Sequence, residues 1–232
     1  MKIKTWMKWY RKILKDFGFK QEEDEKSAKY LNKFLEKHCA LNLDDLPHSN
    51  TAIVCGAGPS IEKHVKIVKK IKSKGIVIAA DGATTALLNE EIIPDIIVTD
   101  LDGYMPDIIK ANKLGSVVVV HSHGDNLKKL KKYLPKLKNI MGTTQSKPLK
   151  NVYNFGGFTD GDRAVFLAIK LGAKKIILAG MDFGEKITKY SRPKLSRDVE
   201  EADEIKKLKL KYAEKLIEWI VDNKNVEIKK LR

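Results

Sequence analysis

From Thr51 onward, short runs of apolar, largely β-branched residues alternate with stretches whose apolar residues recur every three or four positions. The short runs are typical of buried strands, and the longer stretches of crossover helices. Strands are predicted at Thr51 to Cys55, Ile76 to Ala80, Asp95 to Thr99, Val117 to His121, Val152 to Phe155 and Lys175 to Ala179, with a closing strand at Val226 to Lys229.

The helices between these strands follow from the same pattern. They are predicted at Ile61 to Lys72, Thr84 to Glu90, Pro106 to Leu114, Leu127 to Leu134, Gly161 to Leu171 and, as a long last helix, Val199 to Val221. Strands and helices in alternation predict an α/β fold, with a mostly parallel, Rossmann-like sheet and helices on both faces.

Residues 1–48 have a different pattern, which predicts an N-terminal helical appendage to an α/β domain at 49–232. Two apolar stripes run along it, at Trp6, Trp9, Tyr10, Ile13, Leu14 and Phe17 and at Tyr30, Leu31, Phe34 and Leu35. We expect the stripes to face a core, although a basic aromatic stripe can also lie on an anionic membrane. The same helices could join two copies in a homo-oligomer.

Composition limits the class of protein. No apolar run reaches the roughly 18 residues that span a bilayer, and the first residues lack the apolar stretch of a secretion signal. We therefore expect a cytoplasmic protein that is not bound to a membrane. Only Cys39 and Cys55 are present, and they are expected to be buried thiols.

The net charge of +15 comes almost entirely from lysine, with five arginines among the 45 basic residues. Base readout in nucleic acids favours arginine, so we expect no nucleic-acid partner. Abundant lysine, glutamate and isoleucine with only two glutamines is typical of heat-adapted proteins. A basic surface also attracts polyanionic substrates such as nucleotides.

Asp100 and Asp102 follow an apolar strand directly. Alternate side chains of an extended segment share one face, so the two carboxylates could converge on Mg²⁺ carrying substrate phosphates. The alternative is that they only end the strand and cap the next helix. Ligands of open α/β sheets bind where the strands end, so every strand end is a candidate wall of one crevice.

Three other strand ends carry candidate groups. Gly56, Gly58 and Ser60 form a turn before a helix, which suits phosphate binding but also an ordinary strand-to-helix connection. Asp81 ends the second strand. The fourth ends in His121–Asn126, where alternation places His121, His123 and Asp125 on one side if the segment stays extended; a core histidine and a helix cap are the alternatives.

The last strand ends suggest room for a flat ligand between glycines, near Phe155, Phe158, Asp160 and Asp182. A basic loop without helical or strand period follows at 185–197. Its cations could close over a triphosphate, or the loop could simply be solvated. The candidate phosphate-binding residues of the loop are Lys189, Arg192, Lys194 and Arg197.

Several motifs together resemble the catalytic domain of thiamine pyrophosphokinases over about residues 76–184. They are Asp81-Gly82, Pro94–Asp102, Thr159-Asp160 and Leu171–Gly180. The archaeal 6-hydroxymethyl-7,8-dihydropterin pyrophosphokinase family is more similar, from about Thr51 to Asn223. That resemblance lies in Cys55–Ser60, His121–Asn126, Gly157–Arg163 and Gly180–Gly184.

This resemblance implies transfer of the β,γ-diphosphate of ATP to the hydroxymethyl group of a reduced pterin, with release of AMP, on the route to methanopterin-type cofactors. It implies Mg²⁺ as the metal, held by Asp100 and Asp102, with the acidic floor completed by Asp81, His123, Asp125 and Asp160. The general base could be Asp125, His123 or one of the Asp100/Asp102 pair. Candidate partners for the pterin are Asp160, Asn126 and Asp182 at its polar edge and Phe155 and Phe158 for stacking.

Three other functions compete with this one. Thiamine is less suitable as acceptor, because residues 154–158 lack the acidic motif that thiamine pyrophosphokinases have there. Motility-associated glycosyltransferase-like proteins resemble the same glycine and histidine motifs, but those chains are generally much longer. A basic nucleic-acid-binding module would leave the strand-end carboxylates unexplained, since carboxylates repel phosphate unless a metal intervenes.

Overall fold

A computed structural model describes all residues from Met1 to Arg232. Eight strands form one sheet. They are β1 (Thr51–Cys55), β2 (Ile76–Ala80), β3 (Ile96–Thr99), β4 (Val117–Ser122), β5 (Ile140–Thr144), β6 (Val152–Tyr153), β7 (Lys175–Ala179) and β10 (Glu227–Lys230). Their order in the sheet is β10-β7-β1-β2-β3-β4-β5-β6, and every pair is parallel. The predicted α/β class with a parallel sheet is confirmed.

Eight helices cover both faces of the sheet. They are α1 (Ile3–Phe17), α2 (Gln21–Glu36), α3 (Ile61–Ile71), α4 (Ala83–Asn89), α5 (Met105–Lys113), α6 (Leu127–Tyr133), α7 (Asp160–Lys170) and α8 (Glu204–Asn223). Strand residues alternate between two cores, so that Ile53 belongs to one and Val54 to the other. Helices α2 to α6 close the first core, and α1, α7 and α8 close the second.

The N-terminal helices pack on opposite faces of the sheet. Trp6 and Tyr10 of α1 are buried in the second core, whereas Leu31 and Leu35 of α2 are buried in the first. The expectation that the apolar stripes face a core is therefore confirmed. No helix combines the length and the apolar character needed to cross a membrane.

The sequence-based prediction is wrong in several places. Strand β5 was not predicted, and β6 ends at Tyr153 because the Asn154 side chain binds the backbone oxygens of Gln145 and Ser146. The last helix was predicted from Val199 but begins at Glu204, since the Asp203 side chain accepts a hydrogen bond from the Lys206 N–H and caps the helix there. Cys39 is exposed, while Cys55 is buried, which raises the pKa of its thiol to about 12.

The segment predicted as a basic loop contains a two-stranded antiparallel hairpin, β8 (Lys186–Thr188) and β9 (Val199–Glu201). The turn of this hairpin packs tightly on the end of β2. A Cβ atom added to Gly82 would lie only 1.7 Å from the Tyr190 carbonyl oxygen. The hairpin therefore stands beside the carboxyl edge of the sheet, where all the strand ends meet.

Candidate functional site

A cleft opens at the carboxyl edge of the sheet, as expected for a parallel α/β fold. The ends of β1, β2, β3 and β7 and the first turn of α7 form its floor, and β8 and α8 form its side. The groups that line it include Gly56, Gly58, Asp81, Asp100, Asp102, Phe158, Asp160, Arg163, Met181, Asp182, Lys186, Lys206 and Lys209.

Three carboxylates meet on the cleft floor. Asp81 follows β2, Asp100 follows β3, and Asp160 is the first residue of α7. One oxygen atom from each lies within 4.8 Å of the others. Asp102 also lines the cleft but is half exposed, with one oxygen 3.6 Å from Lys129 Nζ. The structure therefore brings Asp81, Asp100 and Asp160 together. The resemblance implied two places for Asp160, the acidic floor and the polar edge of the pterin, and the structure places it in the acidic floor.

Two residues with positive φ angles shape the cluster. Asp81 has a φ of 43° and Leu101 a φ of 67°. Between them, the Thr99 hydroxyl donates to Asp81 and accepts from the Leu101 N–H at 2.8 Å. The expectation that Asp100 and Asp102 continue an extended strand is wrong, because the chain turns at Leu101. Such conformations are costly and are concentrated at functional sites.

The cluster is electrostatically unfavourable without a cation. Burial raises the pKa of Asp81, and the charges of Asp102 and Asp100 raise it further. Burial and the charges of Asp100 and Asp81 likewise raise the pKa of Asp160. Burial acts in the same direction on Asp100, but the hydrogen bond and charge of His123 outweigh it and hold the Asp100 pKa below its usual range.

One oxygen of the cluster has no partner. Asp100 Oδ2 bonds to His123 Nε2 at 2.9 Å, whereas Asp100 Oδ1 is buried without a hydrogen bond. A buried carboxylate oxygen is costly to leave unpaired, and a hard cation would satisfy it. The donor set, three closely spaced carboxylates, thus fits a divalent cation such as Mg²⁺.

The histidine segment agrees with its prediction only in part. His121 and His123 do share one side, with their ring centroids 6.1 Å apart. The chain then forms a short 3-10 helix at Gly124–Asn126, which turns Asp125 away from that side. His121 is buried beside Thr143, and Asp125 is exposed and does not line the cleft. Only His123 reaches the cluster, through Asp100.

The glycine turn after β1 lies close to the end of β7. The Gly58 N–H donates to the Gly180 carbonyl at 2.8 Å, and a Cβ atom at Gly58 would lie 2.2 Å from Asp182 Oδ2. That carboxylate also accepts from the Ser60 N–H at 3.1 Å. Gly56 and Gly58 therefore line the cleft as predicted, but Ser60 does not, and its hydroxyl contacts His64.

The candidate pterin contacts divide into two groups. Phe158, Asp160 and Asp182 line the cleft. Asn126 does not, because its amide donates to the carbonyl oxygens of Asp100 and His121 and holds the turn after β4. Phe155 is also outside the cleft and stacks on Tyr153.

None of the four cations predicted in the basic loop lines the cleft. Lys189 pairs with Asp198 at 2.9 Å, and Arg192 pairs with Asp203 at 2.8 Å. Lys194 and Arg197 are exposed. These cations were expected to face the cleft, but two of them have acidic partners, one in the turn of the hairpin and one at the N-cap of α8.

The cations that line the cleft are not those singled out from the sequence, although one of them, Lys186, lies in the predicted basic loop. They are Lys186 of β8, Lys206 and Lys209 of α8, and Arg163 of α7. Lys206 and Lys209 are three residues apart and so share one helix face, a spacing visible in the sequence but common in a lysine-rich chain. Burial lowers the pKa of Lys209, as does nearby Lys206, while Asp100 and Asp102 act in the opposite direction.

Comparisons with known proteins agree on one family. A family profile described as "6-hydroxymethylpterin diphosphokinase MptE-like" matches residues 25–188. Proteins named 6-hydroxymethyl-7,8-dihydropterin pyrophosphokinase are similar over nearly the full length of both chains. The relative from Methanothermobacter thermautotrophicus is 56% identical over 99% of this chain and 100% of its own.

Two further relatives carry the same name. The protein from Methanocaldococcus jannaschii is 48% identical over 99% of this chain and 100% of its own. The protein from Pyrococcus furiosus is 44% identical over 98% of each chain.

A solved structure supports the fold alone. The MAf glycosyltransferase from Magnetospirillum magneticum AMB-1 superposes with a TM-score of 0.51 at 15% identity, over 80% of this chain and 35% of that one.

Proposed function

The chain belongs to the MptE-like 6-hydroxymethylpterin diphosphokinase family, and we propose that it transfers the β,γ-diphosphate of ATP to 6-hydroxymethyl-7,8-dihydropterin and releases AMP. The pterin diphosphokinase activity follows from full-length relatives of that name. ATP as the donor, AMP as the product and a role in methanopterin biosynthesis are parts of the proposal. Thiamine is the disfavoured acceptor, since the three relatives are named for the pterin.

The proposal depends above all on one observation, the three-carboxylate cluster with the unpartnered Asp100 Oδ1. Carboxylates repel phosphates, so their convergence in a cleft that also presents three lysines suits a substrate bound with a metal. Asp81, Asp100 and Asp160 would hold Mg²⁺. When bound, Mg²⁺ would neutralise part of the charge of the phosphates.

The reaction forms one bond and breaks one. The pterin hydroxymethyl oxygen attacks the β-phosphorus of ATP, and the bond between that phosphorus and the oxygen shared with the α-phosphate breaks, so AMP leaves. The hydroxyl proton passes to a base. Such a transfer needs alignment and charge stabilisation more than covalent catalysis.

Asp102 is our proposed base. It lines the cleft beside the cluster, and burial and the charge of Asp100 raise the pKa of its carboxyl, which favours proton acceptance. Asp125 is exposed outside the cleft, and His123 points its Nε2 at Asp100. His123 would instead orient Asp100.

The phosphates would bind to cations of α8 and β8. Lys206, Lys209 and Lys186 line the side of the cleft above the carboxylates. Gly56 and Gly58 also line the cleft, where the absence of a Cβ atom lets the turn after β1 pack against Gly180. Phe158 and Asp182 would bind the pterin, through an aromatic surface and an acceptor for its amino group.

The acceptor preference tests the proposal. The purified protein with ATP and Mg²⁺ should release AMP rapidly with 6-hydroxymethyl-7,8-dihydropterin and slowly with thiamine, because a mismatched acceptor leaves buried polar groups unpaired. AMP would be measured by chromatography. A thiamine rate equal to the pterin rate would contradict the proposed acceptor.

A further inference from the structure

Asp24 of α2 is a buried carboxylate outside the cleft, and its side chain has no cationic partner. Its residue is 2% exposed. Oδ2 accepts from the Tyr10 hydroxyl at 2.6 Å and from Gln145 Nε2 at 2.9 Å, and Oδ1 accepts from the Gly124 N–H at 2.7 Å. Burying a charged group is costly, and the three donors that converge on this carboxylate offset that cost.

One branch of this network leads to Asp160. Gln145 Oε1 accepts from Arg163 Nη2 at 3.2 Å, and Arg163 Nη1 lies 3.4 Å from Asp160 Oδ1. Gln145 and Arg163 are 3% and 9% exposed. A carboxylate can only accept and a guanidinium can only donate, so Asp24 and Arg163 together fix which end of the Gln145 amide faces each of them.

A second branch leads to Asp100. Gly124 begins the 3-10 helix after β4, in which the Asn126 side chain donates to the Asp100 carbonyl at 3.0 Å. The residue before Gly124 is His123, which bonds to the Asp100 carboxylate. Helix α2 lies so close that a Cβ atom at Gly124 would be 3.0 Å from Glu23 Cβ.

We propose that Asp24 is a positioning residue, which holds Asp100 and Asp160 at their separation through the Gly124 turn and the Gln145–Arg163 pair. The inference rests on the proposed function, since the two carboxylates are the proposed metal and phosphate site. Asp24 itself contacts neither substrate. The N-terminal helices thereby contribute to the site as well as to the core.

The test compares Asp24→Asn with Tyr10→Phe. Tyr10→Phe removes a donor that belongs to neither branch, whereas Asp24→Asn replaces one acceptor oxygen with an NH2 group and so breaks at least one of the two branches. Asp24→Asn should lower kcat at least tenfold, with KM for ATP and for the pterin within threefold of wild type. It should also weaken Mg²⁺ binding, measured by calorimetry without substrates. Tyr10→Phe should change neither kcat nor Mg²⁺ binding by more than twofold.

Equal changes in the two variants, or wild-type kcat and Mg²⁺ binding in Asp24→Asn, would overturn the inference. If Asp24→Asn does not fold, Gln145→Met decides in its place, since it breaks the branch to Arg163 and leaves the Asp24 charge. Wild-type values of kcat and Mg²⁺ binding in a folded Gln145→Met would then overturn the inference.

Asp100→Asn, assayed in parallel, separates the two proposals. An active Asp100→Asn contradicts the proposed function. An inactive Asp100→Asn beside an unaffected Asp24→Asn contradicts only the role of Asp24.

Discussion

At the residue scale, Asp100 links the parts of the site. Its Oδ2 bonds to His123, its carbonyl accepts from Asn126, and its Oδ1 is the oxygen without a partner. A residue held through one carboxylate oxygen and its backbone carbonyl, with the other carboxylate oxygen left free, is preorganised for a ligand at that free oxygen. This arrangement makes Asp100 the residue on which the proposed site depends most.

Lys209 should act on the phosphates. Replacing it with methionine keeps the apolar stem and removes the charge, so we expect kcat/KM for ATP to fall at least tenfold with the fold intact. Lys211→Met is the matched control on the same helix, because Lys211 is exposed and does not line the cleft. Steady-state kinetics showing equal effects of the two substitutions would contradict the role of Lys209.

His64 should make stability depend on pH. Its Nδ1 accepts from the Gly180 N–H at 3.0 Å, and burial lowers its pKa below 6.5 although Asp182 opposes the shift. Between the folded-state pKa and 6.5 the unfolded chain binds more protons, so the His64 contribution is present above pH 6.5 and lost as pH falls through the folded-state pKa.

Chemical denaturation between pH 5 and 8 measures this dependence. The free energy of unfolding of His64→Gln should decline less toward low pH than that of wild type. The exposed His48 provides the control, and His48→Gln should follow wild type. An unchanged slope in His64→Gln would refute the assignment.

The residues at the strand ends were predictable, because parallel strands bring their carboxyl ends to one edge. Asp81, Asp100, Asp102, Asp160 and Asp182 were found in this way. Asp125 was misplaced, since the turn at Gly124 depends on a hydrogen bond to Asp24 of α2, 100 residues away in sequence. Lys206 and Lys209 were missed because nothing local distinguishes them from the other lysines of the chain.

At the element scale, the hairpin β8–β9 and helix α8 are joined by one ion pair. Arg192 bonds to Asp203, whose carboxylate also caps α8 at the Lys206 N–H. That N–H and Arg192 lower the pKa of Asp203. The hairpin therefore helps to place the first turn of α8, which carries Lys206.

Arg192→Ala should raise KM for ATP about threefold, in keeping with the loss of one surface ion pair of about 0.2–1 kcal/mol. Arg197→Ala should leave KM unchanged, because Arg197 is exposed and uses its backbone N–H to bond Glu200. A larger effect in Arg197→Ala than in Arg192→Ala would show that the hairpin contacts the nucleotide differently. Initial-rate measurements over a range of ATP concentrations would show this.

Elements with a clear apolar period were predicted closely, and those set by tertiary contacts were not. Strand β5 contains a glycine, Gly142, at a point where α2 packs closely on it. A Cβ atom added to Gly142 would lie 2.6 Å from Leu35 Cδ1, so this position has no room for a larger residue. The hairpin has only Ile187 as a fully buried apolar residue among its paired positions. Neither segment has the continuous apolar run that marked the other strands.

At the scale of the whole molecule, residues 1–48 complete both cores of the sheet. Removing them would uncover the contacts of Trp6, Tyr10 and Ile13 on one face and of Leu31 and Leu35 on the other. A fully buried large apolar side chain contributes about 1.5–3 kcal/mol, and five of them exceed half of a typical stability of about 5–15 kcal/mol.

We therefore expect a chain of residues 49–232 to lack cooperative thermal unfolding, which circular dichroism would detect. The full-length protein is the control. A truncated protein that unfolds cooperatively near the wild-type Tm would show that the sheet is stable without its N-terminal helices.

The central claim is that the acidic cluster directs a diphosphate, as one unit, to the pterin. The most direct measurement follows the products of ATP and 6-hydroxymethyl-7,8-dihydropterin by ³¹P NMR and mass spectrometry, with Asp100→Asn as the control. We predict AMP and a pterin diphosphate in equal amounts from the wild type, and a rate at least a hundredfold lower from Asp100→Asn with the same fold. ADP with a pterin monophosphate, or equal rates from the two proteins, would contradict the account.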